Sequence, residues 1–134
     1  AEEVKTILQP SAEEKNVRIF VSGEGFSMVG VRRMLQEIIY NLCDNAIKYN
    51  IPGGCVTIHA ENKRLVVGDT GIGIPAEHKD RIFERFYRVD KSHSKASGGT
   101  GLGLSIVKHA AAYHKAEITL ESTPGKGTAI TIQF

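Results

Sequence analysis

A glycine-rich segment at residues 98–103 runs directly into a helical pattern, and this junction constrains the chain more than any other feature. Behind it, apolar residues recur at helix spacing at Leu102, Ile106, Val107 and Ala110. A backbone poor in side chains that opens a helix presents free N–H groups and the positive end of the helix dipole, which favours a bound phosphate. A plain turn followed by an amphipathic helix is the alternative, because glycine motifs alone are weakly specific.

The length and composition describe one soluble globular domain. The 134 residues are 41% hydrophobic and 24% charged, which is enough for a buried core. The net charge of +2 argues against a dedicated nucleic-acid surface, and no apolar run reaches the length of a membrane helix. Cys43 lies on the apolar side of a helix pattern and Cys55 begins a strand. We therefore expect both cysteines to be reduced and structural, which favours a cytosolic location.

The longest predicted helix covers residues 31–49 and has two different faces. At 100° per residue, its apolar face comprises Leu35, Ile38, Ile39, Leu42 and Ala46. Its polar face comprises Glu37, Asn41, Asp44 and Lys48, with Asn45 at the edge. A polar stripe is usually a solvated face, but asparagine is a mediocre helix former. Neutral oxygens, a carboxylate and an ammonium along one line suit Mg²⁺ and phosphate, so this stripe is a candidate binding surface.

The remaining periodicity predicts an α+β two-layer sandwich. In chain order, the expected elements are a helix at 2–16 with a kink or second start at Pro10, a strand at 17–21, a turn region at 23–30, hairpin strands at 55–60 and 64–68, a short helix at 76–83, a helix ending at 114, and hairpin strands at 116–121 and 128–134. Antiparallel strand pairs with helices that can cover one face give this architecture.

Asp69 stands at the end of the second hairpin strand, close to Gly71 and Gly73. A carboxylate held there in a partly buried position can accept a hydrogen bond from an amino group. The alternative is that Asp69 simply caps the next short helix.

The segment 87–98 is predicted to be a flexible basic loop that acts as a lid beside the glycine-rich site. Arg85 and Arg88 lie close enough in sequence to reach a phosphate, and the alternative is that they are solvated.

Two common nucleotide motifs do not explain the glycines. A Walker A loop is absent, because the chain's only Gly-Lys pair, at 125–126, is followed by glycine. Residues 71–76 match the dinucleotide-binding pattern formally, but a short polar segment follows them instead of a long crossover helix.

Four ordered segments resemble the sequence boxes of sensor histidine kinases. Residues 41–49 (NLCDNAIKY) resemble the N box, 69–75 (DTGIGIP) the G1 box, 82–90 (IFERFYRVD) the F box and 99–107 (GTGLGLSIV) the G2 box. Because these motifs occur in order over most of the chain, the resemblance is specific. Within the family, the chain is similar to the group of phosphate-responsive sensor kinases.

The resemblance implies a Bergerat-type ATP-binding fold, with a mixed, mostly antiparallel sheet covered on one face by helices and an ATP lid at 87–98. Asp69 would accept a hydrogen bond from the adenine amino group. Asn45 would coordinate Mg²⁺, with Asn41 beside it. Lys48 and Arg88 would contact the phosphates.

Further residues are implied in ATP binding by the same resemblance. They are Tyr49 along the adenine, Gly71, Gly73, Ile74, Tyr87, Gly99, Thr100, Gly101, Leu102, Gly103, Leu104 and Thr128. The catalytic set comprises Glu37, Asn41, Lys48 and Arg88, with Glu37 expected to orient the attacking group.

The phosphate-accepting histidine of such kinases is typically followed by an acidic residue, and none of the five histidines here fits that pattern. We therefore expect the chain to be the catalytic, ATP-binding domain of a larger, membrane-anchored kinase, with this domain in the cytoplasm. Its partners would be a histidine-containing dimerisation domain and, downstream, a response regulator. Direct contact with nucleic acid or with a membrane is not expected.

Two alternatives remain open at this point. One is a serine kinase or switch-type ATPase of the same fold, against which the F-box aromatics and Arg88 argue. The other is a degenerate module that binds nucleotide or a partner without catalysis, against which the intact Asn41, Asn45 and Asp69 argue.

Overall fold

The computed structural model describes residues 2–74, 76–78, 82–83 and 103–134. Within these residues the chain forms three α-helices and five strands. They are α1 (Glu2–Glu14), β1 (Arg18–Gly25), α2 (Arg32–Lys48), β2 (Cys55–Glu61), β3 (Arg64–Asp69), α3 (Gly103–Tyr113), β4 (Glu117–Thr123) and β5 (Gly127–Gln133). The short helix predicted at 76–83 is wrong over its described part, where a single 3₁₀ turn spans Ala76–His78 and residues 82–83 form a turn.

The five strands form one sheet in the order β1-β2-β3-β5-β4. β1 runs parallel to β2, and the other three neighbouring pairs are antiparallel. The two hairpins predicted from the sequence are thus present, and the pairing of β3 with β5 joins them. The α+β sandwich with a mixed, mostly antiparallel sheet is confirmed.

One face of the sheet carries the core, because alternate residues of each strand point toward the helices. The buried strand residues are Ile19, Val56, Ile58, Leu65, Val67, Ile130 and Ile132, and helix residues such as Leu8, Ile38, Leu42 and Val107 pack against them. The opposite face is open in the described part of the chain, where Thr57 is exposed and Phe20 is 50% exposed. The helices therefore cover a single face of the sheet.

β1 continues to Gly25, beyond the predicted strand at 17–21 and into the predicted turn region. Gly23 has a φ of +93°, and a Cβ at this position would lie 2.2 Å from the carbonyl oxygen of Ala60 on β2. Here glycine permits close parallel pairing of two strands, whereas the sequence pattern suggested a turn.

Three other expectations concern α1, the cysteines and membrane helices. α1 is one helix that includes Pro10, so a second start at that residue is wrong.

Cys43 and Cys55 are both free, with Cys43 buried. None of the helices in the described ranges is long and apolar enough to span a membrane.

Candidate functional site

The polar stripe of α2 faces the first residue of α3. A Cβ built on Gly103 would lie 3.2 Å from Oδ1 of Asn41 and 3.7 Å from Nδ2 of Asn45. Since α3 begins at Gly103, the positive end of its dipole lies beside two amide side chains. The two asparagines are therefore partly buried between two helices, in a position to belong to the candidate site.

Glu37 and Asn41 are connected through the backbone of α2. The Asn41 Nδ2 donates a hydrogen bond of 2.8 Å to the carbonyl oxygen of Glu37, which leaves Oδ1 toward Gly103. The Glu37 carboxylate lies 3.5 Å from Nε of Arg33, one turn earlier.

The ammonium of Lys48 forms an ion pair with Asp44, with 2.9 Å between Nζ and Oδ2. Both side chains are largely shielded, with exposed fractions of 28% and 21%. The sequence pattern put both residues on one face but did not reveal that Asp44 holds the lysine predicted to contact phosphate.

Asp69 ends β3 in a partly buried position. Its Oδ1 accepts a hydrogen bond of 2.8 Å from the backbone N–H of Gly71. Burial raises the pKa of Asp69, and hydrogen bonds from the backbone of Gly71 and Thr128 partly oppose that rise. Asp69 is thus a hydrogen-bond acceptor at the edge of the core, and its side chain caps the turn to Gly71 instead of the next short helix.

Thr128 lies directly opposite Asp69 in the β3–β5 register. Its Oγ1 is 2.8 Å from Oγ of Ser122 on β4, and that same serine oxygen accepts a 2.7 Å hydrogen bond from the N–H of Ile74. Ser122 was missed in the sequence because its role depends on the pairing of β4 with β5. It connects Thr128 to the loop that follows Asp69.

The loop after Asp69 packs tightly against the end of α2. A Cβ on Gly71 would lie 2.4 Å from the carbonyl oxygen of Tyr49, and the N–H of Ile72 donates to that same oxygen at 3.1 Å. Gly73 has a φ of +74°, and a Cβ there would lie 2.3 Å from the carbonyl oxygen of Thr123. Both positions require glycine.

The described residues thus bring together two parts of the predicted site. One part comprises Glu37, Asn41, Asn45 and Lys48 on α2 with Gly103 and Leu104 at the start of α3. The other comprises Tyr49, Asp69, Gly71, Gly73, Ile74 and Thr128. Six predicted site residues lie outside the described residues, namely Tyr87, Arg88, Gly99, Thr100, Gly101 and Leu102, as does the predicted lid at 87–98.

A shallow cavity of about 380 Å³ reaches Asp69 and Thr128 from the open face of the sheet. Its lining includes Thr57 and Glu121, which lie in one row across the sheet, with Gly68 and Ala129 between them, on the face turned away from the helices. We assign the candidate site to the helix side instead, because the asparagines and the start of α3 lie there.

The residues present fit a nucleoside triphosphate better than a resident metal ion. A partly buried carboxylate can accept a base amino group, and a helix N-terminus suits phosphates. Among the described residues, no group of three or more His, Cys, Asp or Glu side chains could hold a metal ion. A magnesium ion would therefore be held by amide oxygen together with the phosphates of the nucleotide.

The sheet order and the site between α2, α3 and the β3 loop define an ATP-binding domain of the α+β class. The family model "Histidine kinase-, DNA gyrase B-, and HSP90-like ATPase" matches residues 30–134, and the chain belongs to this family.

Individual relatives agree with the family assignment. The chain is 46% identical over 114 residues to the sensor-like histidine kinase SenX3 of Mycolicibacterium smegmatis, covering 82% of this chain and 30% of that protein. It is 38% identical to the phosphate regulon sensor protein PhoR of Pseudomonas aeruginosa, covering 98% of this chain and 31% of that protein. The resemblance to sensor histidine kinases, including the phosphate-sensor group, is confirmed.

A solved structure shows the same architecture. Full-length ShkA, solved in complex with AMPPNP, superposes with a TM-score of 0.80 at 27% identity, covering 98% of this chain and 28% of ShkA. The chain spans less than a third of the length of each of the two curated relatives described above.

Proposed function

We propose that this domain binds Mg-ATP and transfers its γ-phosphoryl group to a histidine on a separate dimerisation domain, in two-component signal transduction. The observation that carries the proposal is the approach of Gly103, the first residue of α3, to Asn41 and Asn45. That arrangement places the amide oxygen of Asn41 and the amide group of Asn45 next to the positive end of a helix, where a charged phosphate chain and its cation can both be satisfied.

The roles of the side chains follow from their chemistry. Asp69 accepts a hydrogen bond from the adenine amino group, with Thr128 opposite it. Asn45 provides an oxygen to Mg²⁺, which neutralises phosphate charge, and Asn41 lies beside it. Lys48 and Arg88 contact the phosphates.

In this reaction the domain positions the γ-phosphate for transfer and stabilises its negative charge. An imidazole nitrogen of the partner forms the new bond to phosphorus as the bond to the β-phosphate oxygen breaks, and ADP leaves. Because the imidazole is the nucleophile, the domain need not supply one. Glu37 lies one turn before Asn41 on α2, and its role is to orient the attacking imidazole.

Relatives support this function over its alternatives. SenX3 and PhoR are a sensor-like histidine kinase and a phosphate sensor, and ShkA is solved with AMPPNP. A serine kinase or switch-type ATPase of this fold is therefore not favoured, and the retained Asn41, Asn45 and Asp69 argue against a degenerate module. We place the domain in the cytoplasm, as part of a membrane-anchored kinase that passes phosphate to a response regulator.

The first experiment is calorimetric titration of the purified domain with ATP, with and without Mg²⁺. The wild type should bind, and Asp69→Asn should bind at least about tenfold more weakly, because a hydrogen bond to a charged group contributes about 1.5–3 kcal/mol. Glu121→Gln is a matched control, since Glu121 is an exposed carboxylate on β4 in register with Ala129 rather than Asp69.

The second experiment supplies a histidine-containing dimerisation domain and follows acid-labile phosphate on it. Asn45→Ala should abolish transfer while the far-ultraviolet dichroism stays unchanged. Unchanged transfer by folded Asn45→Ala would contradict the magnesium assignment, and acid-stable phosphoserine would support the serine-kinase alternative. A folded wild type that binds no ATP would favour the alternative of a degenerate binding module.

A further inference from the structure

Asn50 is a buried polar residue that lies two positions after the last residue of α2. It is 5% exposed, and both ends of its amide are used. Its Nδ2 donates to the carbonyl oxygen of Cys55 at 3.0 Å. Its Oδ1 accepts from the N–H of Ile51 at 2.9 Å and from the hydroxyl of Thr70 at 3.2 Å. A single side chain thus joins the end of α2, the start of β2 and the segment after β3.

Thr70 is the link between Asn50 and the site, because it stands between Asp69 and Gly71. Its Oγ1 accepts a hydrogen bond of 2.9 Å from the N–H of Cys55 while its proton faces Asn50. A Cβ on Gly54 would lie 2.3 Å from Oδ1 of Asn50 and 2.6 Å from Oγ1 of Thr70. Because Gly54 has no side chain, the side chains of Asn50 and Thr70 can occupy this space.

We propose that Asn50 is the positioning residue that sets the Asp69 carboxylate at a fixed distance from α2, and thereby determines the preference for adenine over other bases. This inference rests on the proposed function, in which Asp69 recognises the base. α2 carries Asn45 and Lys48, the groups assigned to the magnesium and phosphate end of the nucleotide. A rigid connection from α2 to Asp69 fixes the distance between the residue that binds the base and the residues that bind the phosphates. One nucleotide can then contact both.

An amide suits this position because it must donate and accept at the same time. Alanine would remove the amide that the Cys55 carbonyl and the Thr70 hydroxyl share, while the Cys55 carbonyl would keep its 3.2 Å hydrogen bond from the N–H of Thr70. The Asp69–Gly71 turn would then lose its side-chain anchor to α2. Misplacement by about 1 Å can cost about a hundredfold in an oriented site, so recognition of the base should respond before the fold does.

The test compares ATP with inosine triphosphate, which has an oxygen where adenine has its amino group. Affinities for both are measured by calorimetry for the wild type, Asn50→Ala, Thr70→Val and the double variant. Wild type should prefer ATP. Asn50→Ala should lower that preference about tenfold, mainly through ATP, because both ligands share the triphosphate. The double variant should lose no more than the larger single effect, since the two residues act through one connection.

Ile132→Val is the control for a general loss of stability, because Ile132 is fully buried on β5 and lies four residues beyond Thr128. It should lower the melting temperature and leave the ATP preference unchanged. A folded Asn50→Ala that keeps the wild-type preference overturns the inference. If that variant does not fold, Thr70→Val decides in the same way. A wild type that binds both nucleotides equally contradicts the role of Asp69 in the proposed function and overturns the inference with it, whereas an unchanged preference in Asn50→Ala overturns the inference alone.

Discussion

Asp69 and Thr128 face each other across β3 and β5, each at the end of a different hairpin. The pairing of β4 with β5 in turn brings Ser122 within 2.8 Å of Thr128. The surroundings of the proposed base acceptor, Asp69, are therefore built by the order of strands in the sheet, and its properties depend on how deeply that order buries the carboxylate.

The burial of Asp69 predicts a pH dependence of stability. Burial raises its pKa from the ordinary value of 3.8, so the folded chain holds this proton more tightly than the unfolded chain. The contribution of Asp69 to the free energy of unfolding should then fall as pH rises from 3.8 through the raised folded pKa, and stay constant above it. Asp69→Asn cannot ionise, so its stability relative to the wild type should increase over that same window.

Urea unfolding of both proteins at a series of pH values measures this difference. The midpoints should move apart toward neutral pH, in favour of Asp69→Asn, with equal m-values. A difference that is independent of pH, or that shrinks as pH rises, would contradict the effect of burial on Asp69.

The Lys48–Asp44 pair predicts a separation of phosphate binding from stability. Lys48→Met removes the ammonium, so the affinity for ATP should fall about tenfold while adenosine binding is unchanged. The free energy of unfolding should change by less than about 1 kcal/mol, as for other partly exposed pairs one helical turn apart. Arg33→Met, which breaks the exposed pair with Glu37 on the same helix, is the matched control. Equal losses for ATP and adenosine would mean that Lys48 does not act on the phosphates.

Gly127 predicts a strong steric effect at the end of β5. It has a φ of +129°, and a Cβ would lie 2.0 Å from the carbonyl oxygen of Asp69. Gly125 has a φ of +79° but open space around it. Gly125→Ala should cost about 1–3 kcal/mol through backbone strain alone, and Gly127→Ala a further 1–3 kcal/mol or so through overlap. Chemical unfolding measures both, and equal costs would show that the strand accommodates the methyl group.

The two cysteines should differ in reactivity. Cys43 is fully buried, and burial raises its pKa to about 12, so it presents almost no thiolate. Cys55 is partly exposed at the start of β2. A chromogenic disulfide reagent should react with one thiol in the folded domain and with the second only after urea is added. Cys55→Ser should remove the first reaction, and a fast reaction that survives this change would place Cys43 within reach of solvent.

Local patterns were sufficient for most of the fold. The apolar face of residues 31–49 and the turn residues between the hairpin strands predicted α2 and four of the five strands to within two residues at each end. Periodicity records which side of an element is buried, and burial is what holds these elements in place.

Other features depended on contacts that no local pattern contains. Gly23 was interpreted as a turn because its close approach to Ala60 exists only when β1 pairs with β2. Asn50 carried no signal, since an asparagine after a helix is ordinary and its partner Thr70 lies twenty residues away. The polar stripe and the resemblance both indicated Asn41 and Asn45, and the resemblance implied Gly103, but their proximity became apparent only from the packing of α2 on α3.

The parallel strand β1 has a consequence for the boundaries of the folding unit. The family model begins at residue 30, yet Val4, Leu8 and Ile19 are buried in the core, and β1 covers the edge of β2. A chain shortened to the matched residues would expose the backbone donors and acceptors of β2 along that edge, where a second molecule could add its own strand. The segment that the family model matches and the segment needed to cover the edge of β2 are thus different lengths of this polypeptide.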